Sequence, residues 1–207
     1  MTLNWFIQGL SVFILSGCAV GQKFDYTAAT INVDSLTPVH SAAIAVLDQR
    51  VYIRKGDKDE SFVGLSRGGY GNPFDVRTAS GLPLATEMAM AVVAALKTRG
   101  IRAEAVPVRP ADGLSPARQA LLKDGLDRAM LFTLVEWKTD TMMRTGLEYE
   151  LTLDIFDRSG QRLARKELSG KEVSGASILS AEKDAQKWFA SKVTEMFQDD
   201  AIASSLR

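Results

Sequence analysis

The order of apolar and polar positions predicts two buried strands and one long hairpin. Residues 42–47 and 130–135 are apolar runs of strand length, typical of strands covered on both faces. Residues 145–157 alternate with a period of two, which predicts a strand with one buried and one solvated face. A turn at 157–160 and a returning strand at 161–173 complete the hairpin.

A helical period marks two main helices and a shorter one. The first begins near Pro83, which suits a first helical turn, and ends at Gly100. A short helix begins near Ser115, and the last helix covers 180–197 with its aromatic and aliphatic residues on one stripe. With a short strand within 101–108, this order predicts an α+β fold: a mixed, largely antiparallel sheet with two main helices packed on one face.

The apolar pattern is interrupted between residues 55 and 81, where polar residues and glycines dominate. Residues 55–60 predict a hairpin tip or an exposed loop, and the glycines between 64 and 71 predict a long loop after it. This loop lacks the Lys-Ser/Thr pair of a phosphate-binding P-loop. Its backbone N–H groups, one arginine and one tyrosine could hold a ligand or partner, and the alternative is a flexible turn region. The candidate residues are Arg67, Gly68, Gly69 and Tyr70.

The first residues of the chain indicate export. Residues 1–17 carry no charged side chain, and their apolar run is shorter than the roughly 20 residues that span a bilayer, as in a secretory signal peptide. The run ends in Leu15-Ser16-Gly17-Cys18, which resembles the bacterial lipobox, with cleavage between Gly17 and Cys18. The alternative is a buried N-terminal helix with an incidental cysteine. No Lys or Arg precedes the run, a departure that a misassigned start codon would explain.

The lipobox resemblance implies a covalent lipid anchor on Cys18. In such lipoproteins the thiol carries a diacylglyceryl group and the new N-terminus carries a fatty acid such as palmitate. Two acyl chains already hold a protein stably at a membrane, and this anchor would have three. Ala19 stands where an inner-membrane retention signal would have Asp, which favours the periplasmic face of the outer membrane. The predicted organisation is a cleaved signal peptide (1–17), a lipidated N-terminus and tether (18–38), and a single α+β periplasmic domain (39–207).

Composition excludes several classes of function. The chain has 25 Lys and Arg residues against 25 Asp and Glu residues, so its neutral charge gives no reason to expect nucleic acid or an anionic surface as partner. Its one cysteine, Cys18, excludes an intrachain disulfide, and with one histidine, His40, it supplies too few ligands for a soft-metal site. We therefore expect no metal and no cofactor.

Several short motifs together resemble a known family. Besides the lipobox, they are a buried strand followed by Asp48-Gln49-Arg50, a helix that closes on residues 98–100, and a terminal meander with a helix. These features are similar to the YajG-like bacterial outer-membrane lipoproteins, whose members are uncharacterised. The resemblance implies an α+β periplasmic domain without established enzymatic activity, and it brings no catalytic residues. The glycine-rich stretch is not part of the family pattern.

Two features could support catalysis. His40 would need a nearby carboxylate and nucleophile to act as a base, and the adjacent Ser41 points to the opposite face of a strand. Glu148, Glu150 and Asp154 share a strand face, where paired carboxylates could run acid–base chemistry or bind Ca²⁺. A solvated sheet face produces the same pattern, and basic residues of the returning strand could neutralise it.

Three hypotheses of function compete. The leading one is a non-enzymatic, lipid-anchored envelope protein that binds the membrane through acylated Cys18 and binds or scaffolds a periplasmic component. The second is a carrier of a glycan, peptide or lipid, which requires a pocket under the Arg67–Tyr70 loop. The third is a hydrolase that uses His40 or the face of Glu148 and Glu150. We expect no enzymatic activity.

Overall fold

The chain folds as one mixed sheet with helices against both faces, and the computed structural model describes residues 21–34, 36, 39–175 and 178–207. The strands are β1 (Lys23–Phe24), β2 (Ser41–Asp48), β3 (Phe62–Arg67), β4 (Pro73–Thr78), β5 (Arg102–Ala105), β6 (Arg128–Thr141), β7 (Thr145–Phe156) and β8 (Arg162–Val173). The α-helices are α1 (Val51–Arg54), α2 (Leu84–Thr98), α3 (Leu114–Leu122), α4 (Ala181–Gln198) and α5 (Asp200–Ser205).

Strand β6 is the centre of the sheet. Along one edge it pairs antiparallel with β7, which pairs antiparallel with β8. Along its other edge, the first half of β6 pairs parallel with β2 and the second half pairs parallel with β3. The sheet therefore forks at the middle of β6: β5 continues one branch beyond β2, and β4 and β1 continue the other beyond β3. The two ladders through β7 are the longest, and the predicted α+β fold with a mixed, largely antiparallel sheet is confirmed.

The two faces of the sheet carry separate cores. The larger core lies under α2 and α4, which pack on one face as predicted. The smaller core lies under α3 on the opposite face. β2 contributes to both, because its successive side chains point in opposite directions: Ile44 and Val46 enter the larger core, while Ala45 and Leu47 enter the smaller. This double burial explains its continuously apolar sequence.

The segment before β2 belongs to the folded body. Phe24 and Tyr26 are buried in the larger core together with Ile31 and Val33. The Tyr26 hydroxyl accepts a hydrogen bond of 2.8 Å from Nε1 of Trp137. The sequence-based boundary at residue 39 therefore lies too far along the chain, because part of the proposed tether packs under α2 and α4. The predicted cleavage and acylation at Gly17 and Cys18 lie outside the described residues.

The glycine-rich stretch is a hairpin, not the predicted long loop. β3 ends at Arg67, β4 begins at Pro73, and the turn between them contains Gly71 with a φ of 82°. Gly64 lies within β3, where an added Cβ would stand 2.2 Å from the Thr139 carbonyl oxygen on β6. The prediction was wrong because this glycine marks the close approach of two backbones and does not interrupt the strand.

The period-two pattern of β7 predicts burial correctly for only part of the strand. Glu148 and Glu150 contact solvent, as predicted. The same solvated face is predicted for Thr152 and Asp154, which are only 6% and 3% exposed. Side chains of α3 and β8 border Asp154. A polar face is thus buried by elements that are distant in sequence.

Candidate functional site

The predicted loop of Arg67, Gly68, Gly69 and Tyr70 is the tip of the β3–β4 hairpin. The Arg67 guanidinium donates two hydrogen bonds, of 2.7 and 2.6 Å, to the carboxylate of Asp140 on β6. Tyr70 is fully exposed, and Gly68 donates its N–H to Asn72 across the turn. The hairpin tip projects into solvent and its arginine is already paired. The carrier hypothesis therefore loses the support that a pocket beneath this loop would have given.

The residues considered for hydrolysis do not form a constellation in the described part of the chain. His40 is exposed, and its backbone carbonyl accepts a hydrogen bond from the Arg102 N–H. The Ser41 hydroxyl donates 2.8 Å to Asp127, whose carboxylate also pairs with Arg158. These hydrogen bonds and the charge of Arg158 hold the pKa of Asp127 below its ordinary value. The Ser41 and Asp127 groups therefore tie β2 to the start of β6.

The carboxylates of β7 are separated by their surroundings. Glu148 pairs with Lys171 across the β7–β8 ladder at 3.0 Å, and both side chains are largely exposed. The Asp154 carboxylate forms ion pairs with the guanidinium groups of Arg162, at 3.4 Å, and Arg165, at 3.1 Å. The returning strand thus neutralises Glu148 and Asp154, two of the three carboxylates considered from the sequence. No three His, Cys, Asp or Glu side chains within the described ranges lie close enough to hold a metal ion.

A buried ion pair fills the fork of the sheet. Arg50 is completely buried and donates from Nε and Nη2 to the Asp48 carboxylate, at 3.0 and 2.7 Å. Its Nη1 donates to the carbonyl oxygens of Phe62 and Trp137, at 2.8 and 3.1 Å. Burial by itself lowers the pKa of Arg50, but the hydrogen bonds and charge of Asp48 raise it above the ordinary value. Arg50 therefore supplies hydrogen bonds to backbone carbonyls of β3 and β6 at the place where β2 and β3 diverge along β6.

A second buried carboxylate holds the N-terminal segment. Glu87 on α2 is completely buried and accepts hydrogen bonds from the Tyr26 N–H at 2.9 Å and the Ser80 hydroxyl at 2.6 Å. The sequence contains a signal for this burial, since Glu87 lies next to Met88, which is part of the apolar stripe of α2. Like Asp48, Glu87 is therefore engaged in hydrogen bonds that maintain the fold.

An apolar cleft lies where the parallel strands β2 and β5 end. It has a volume of about 190 Å³ and lies between the first turns of α2 and the chain after β5. Its lining includes Pro83, Ala85, Ala89, Val106 and Val108. Ligands of open sheets containing parallel strands commonly bind at the carboxyl ends of the strands, which is the position of this α2–β5 cleft.

Glu60 stands at the mouth of the α2–β5 cleft. It also lines an adjoining depression of about 590 Å³ that Arg54 and Arg109 border. Lost hydration and the charges of Asp48 and Asp59 raise the pKa of Glu60 above its ordinary value. Among the described residues, its carboxylate has no ion-pair or hydrogen-bond partner. Sequence reasoning treated Glu60 only as part of an exposed loop.

A groove lined by arginines lies on the opposite face of the sheet. This arginine groove has a volume of about 470 Å³ and runs between α3, the end of β7 and the beginning of β8. Its charged lining consists of Arg118, Arg162, Arg165 and Asp154, and its apolar lining includes Leu131 and Phe156.

None of the helices in the described part of the chain has the length and hydropathy of a membrane span.

Comparison with known proteins identifies the fold. Neither models of known families nor curated protein sequences match the chain. A Xanthomonas campestris protein described as DUF330 is 13% identical to it, with a TM-score of 0.51 over 85% of this chain and 94% of the other. At this identity the likeness shows a shared fold.

Two looser likenesses involve other bacterial proteins. Lipoprotein GNA1162 from Neisseria meningitidis is 16% identical, with a TM-score of 0.34 over 78% of this chain and 100% of that one. A variant of PelC from Paraburkholderia phytofirmans, a dodecamer, is 11% identical, with a TM-score of 0.42 over 81% of this chain and 92% of that one. Likenesses with these TM-scores do not indicate a function for this chain. Structures similar to this chain thus include a DUF330 protein and a bacterial lipoprotein, and the YajG-like resemblance stays an inference from the sequence.

Proposed function

We propose that this chain is a lipid-anchored protein of the cell envelope, held at the periplasmic face of the outer membrane, whose domain binds a partner and catalyses no reaction. The lipobox-like sequence that ends at Cys18 supports the anchor. The neutral net charge supports it as well, because a basic surface that would hold the domain at anionic lipids is not expected. On this proposal, attachment depends on acyl chains.

Replacing Cys18 with alanine should move most of the protein from the membrane fraction to the soluble fraction of the envelope. The reason is that the thiol is the only group in the segment that can carry a thioether-linked lipid. The measurement is immunoblotting of fractionated cells. Ser16→Ala is the matched control, since it keeps a small residue and the cysteine and should leave the protein at the membrane. Unchanged membrane fractionation of Cys18→Ala would contradict the anchor.

The binding role rests on one arrangement: an open strand edge beside an apolar cleft with an unpaired carboxylate. β5 pairs with β2 on one side, and its other edge is unpaired by any strand within the described residues. Ala105 on this strand lines the α2–β5 cleft, and Glu60 stands at its mouth. Exposed strand edges bind extended peptides through backbone hydrogen bonds, while neighbouring pockets select side chains.

The partner that fits this arrangement is an extended segment of another envelope protein. Its backbone would continue the sheet beyond β5, and a small apolar side chain would enter the α2–β5 cleft. A Lys or Arg side chain of the segment would pair with Glu60. Burial and the charges of Asp48 and Asp59 raise the pKa of Glu60, and a nearby cation would favour its ionised form. Electrostatic pairing of this kind selects the partner and sets the register of the added strand.

A photo-crosslinking amino acid at Thr86, which lines the α2–β5 cleft, should give a discrete adduct in intact cells. The same amino acid at Lys97, exposed at the other end of α2, is the control and should give little adduct. Glu60→Lys should lower the yield at Thr86 about tenfold, since it opposes a cationic segment with a like charge. Asp57→Lys adds the same charge at an exposed site outside the cleft lining and should not. Equal yields from Thr86 and Lys97, or no effect of Glu60→Lys, would count against the proposal.

A further inference from the structure

The arginine groove contains more positive than negative charge. Three guanidinium groups, those of Arg118, Arg162 and Arg165, line it. Asp154 at its floor has a side chain only 4% exposed and is shared by Arg162 and Arg165. The Nε of Arg165 also donates 2.7 Å to Glu167. Two carboxylates therefore balance three guanidinium groups, and one positive charge is in excess.

The excess charge resides on groups that remain accessible. Arg118 forms no ion pair with the described residues, and its guanidinium carbon lies 5.8 Å from the centroid of the Phe156 ring. Arg162 makes a single long contact of 3.4 Å with Asp154, and its side chain is 54% exposed. Both can reorient toward a bound anion without leaving the buried carboxylate unpaired, because Arg165 remains on Asp154 at 3.1 Å.

The other lining residues are apolar. Leu131 and Phe156, which belong to the smaller core, form the groove floor. Leu114, at the start of α3, also lines the groove and is 54% exposed. The N-cap of α3 is Gly113, which has no side chain to cap the first turn. A volume of about 470 Å³ lies within the range of about 300–1,000 Å³ that small-molecule sites occupy.

We propose that the arginine groove binds a phosphate monoester with an apolar body. Arg118 and Arg162 would donate to the phosphate oxygens, since guanidinium groups match the geometry of phosphate. The apolar body would lie against Leu131 and Phe156. This chemistry is shared by soluble alkyl phosphates and by lipids with a phosphate headgroup. The site is on the opposite face of the sheet from the α2–β5 cleft and does not depend on it.

The test measures binding of hexyl phosphate to the full chain in a non-ionic detergent by isothermal titration calorimetry. Saturable binding is expected, with weaker binding of inorganic phosphate and none of hexanol. Arg118→Gln and Arg162→Gln should each weaken hexyl phosphate binding about tenfold, the effect of removing one charge-assisted hydrogen bond. Arg102→Gln, at an exposed arginine on β5, removes the same charge outside the groove and should have no effect.

Three results would overturn the proposal. The first is the absence of saturable binding by a wild-type chain that melts cooperatively. The second is binding that both groove variants leave unchanged, and the third is equal affinity for inorganic phosphate, which would leave the apolar floor without a role. Tighter binding of dihexanoyl phosphatidic acid than of hexyl phosphate would identify a lipid as the ligand source, and the reverse would identify a soluble ester. Either order supports the shared phosphate chemistry.

Discussion

Replacing Arg50 with methionine should lower the free energy of unfolding by about 3–5 kcal/mol, because it leaves the buried Asp48 carboxylate without its cation. The substitution keeps the length of the apolar stem, so the loss reports the guanidinium group and not the packing. It also removes the donor to the carbonyl oxygens of Phe62 on β3 and Trp137 on β6. The measurement is urea unfolding followed by circular dichroism.

Two further variants separate the charge from other effects of the Arg50 substitution. Arg54→Met changes an exposed arginine on the same short helix, α1, and should alter stability by no more than about 0.5 kcal/mol. The double variant Asp48→Leu with Arg50→Met removes both charges and should be more stable than Arg50→Met alone. A loss below about 1 kcal/mol in Arg50→Met would mean that Asp48 finds another partner and that the pair is not needed at the fork.

Replacing Gly64 with alanine should destabilise the protein by about 3 kcal/mol through steric overlap between β3 and β6. The added Cβ would lie 2.2 Å from the Thr139 carbonyl oxygen and 2.7 Å from its nitrogen. Both are backbone atoms, which cannot rotate away as a flexible side chain can. The strands would have to separate, and the parallel pairs that join Gly64, Leu65 and Ser66 to β6 would weaken.

Gly69→Ala is the matched control for Gly64→Ala. Gly69 lies at the tip of the same hairpin, and an added Cβ there meets no atom within 4 Å. We expect a change within about 0.5 kcal/mol, measured in the same unfolding experiment. Equal losses from the two substitutions would show that the stretch tolerates no side chain for a reason other than strand contact. No loss of stability from either substitution would contradict the close contact of β3 with β6 and favour the loop that the composition of residues 64–71 indicates.

The hydrophobic pattern predicted those elements whose environment is uniform along their length. β2 is apolar throughout because both of its faces are covered, and α4 has one apolar stripe because only one of its faces meets the sheet. The end of α2 before Gly100, with its φ of 77°, follows from a local conformational preference. Such elements are encoded by near neighbours in sequence.

Prediction failed where a distant element determined the environment. β6 continues to Thr141, beyond the predicted end at residue 135, because its second half gains β3 as a new partner. Its outward residues there are polar and gave no apolar run. Asp154 is buried by β8 and α3, although its own strand alternates as a half-solvated strand does. Tyr26 is buried because Trp137 and Phe189 pack around it.

The candidate sites show the same division. The sequence marked Arg67 and Tyr70 as a possible contact surface, but Asp140, far along the chain, pairs with the arginine, and the tyrosine is fully exposed to solvent. Glu60 and Arg118 carried no signal in the sequence. Their surroundings come from separate segments: α2 and β5 beside Glu60, β7 and β8 beside Arg118.

The sequence by itself determined the α+β class, the two main helices, the β7–β8 hairpin and the prediction of a lipid anchor at Cys18, because each depends on periodicity or on a short contiguous motif. Only the tertiary structure decided the fork in the sheet, the burial of Asp48 with Arg50, and the positions of the α2–β5 cleft and the arginine groove. The physical reason is that burial and unpaired charge are properties of a three-dimensional neighbourhood. Arg50 and Glu60 are both charged residues, and only the fold determines that Arg50 is completely buried while Glu60 stays exposed.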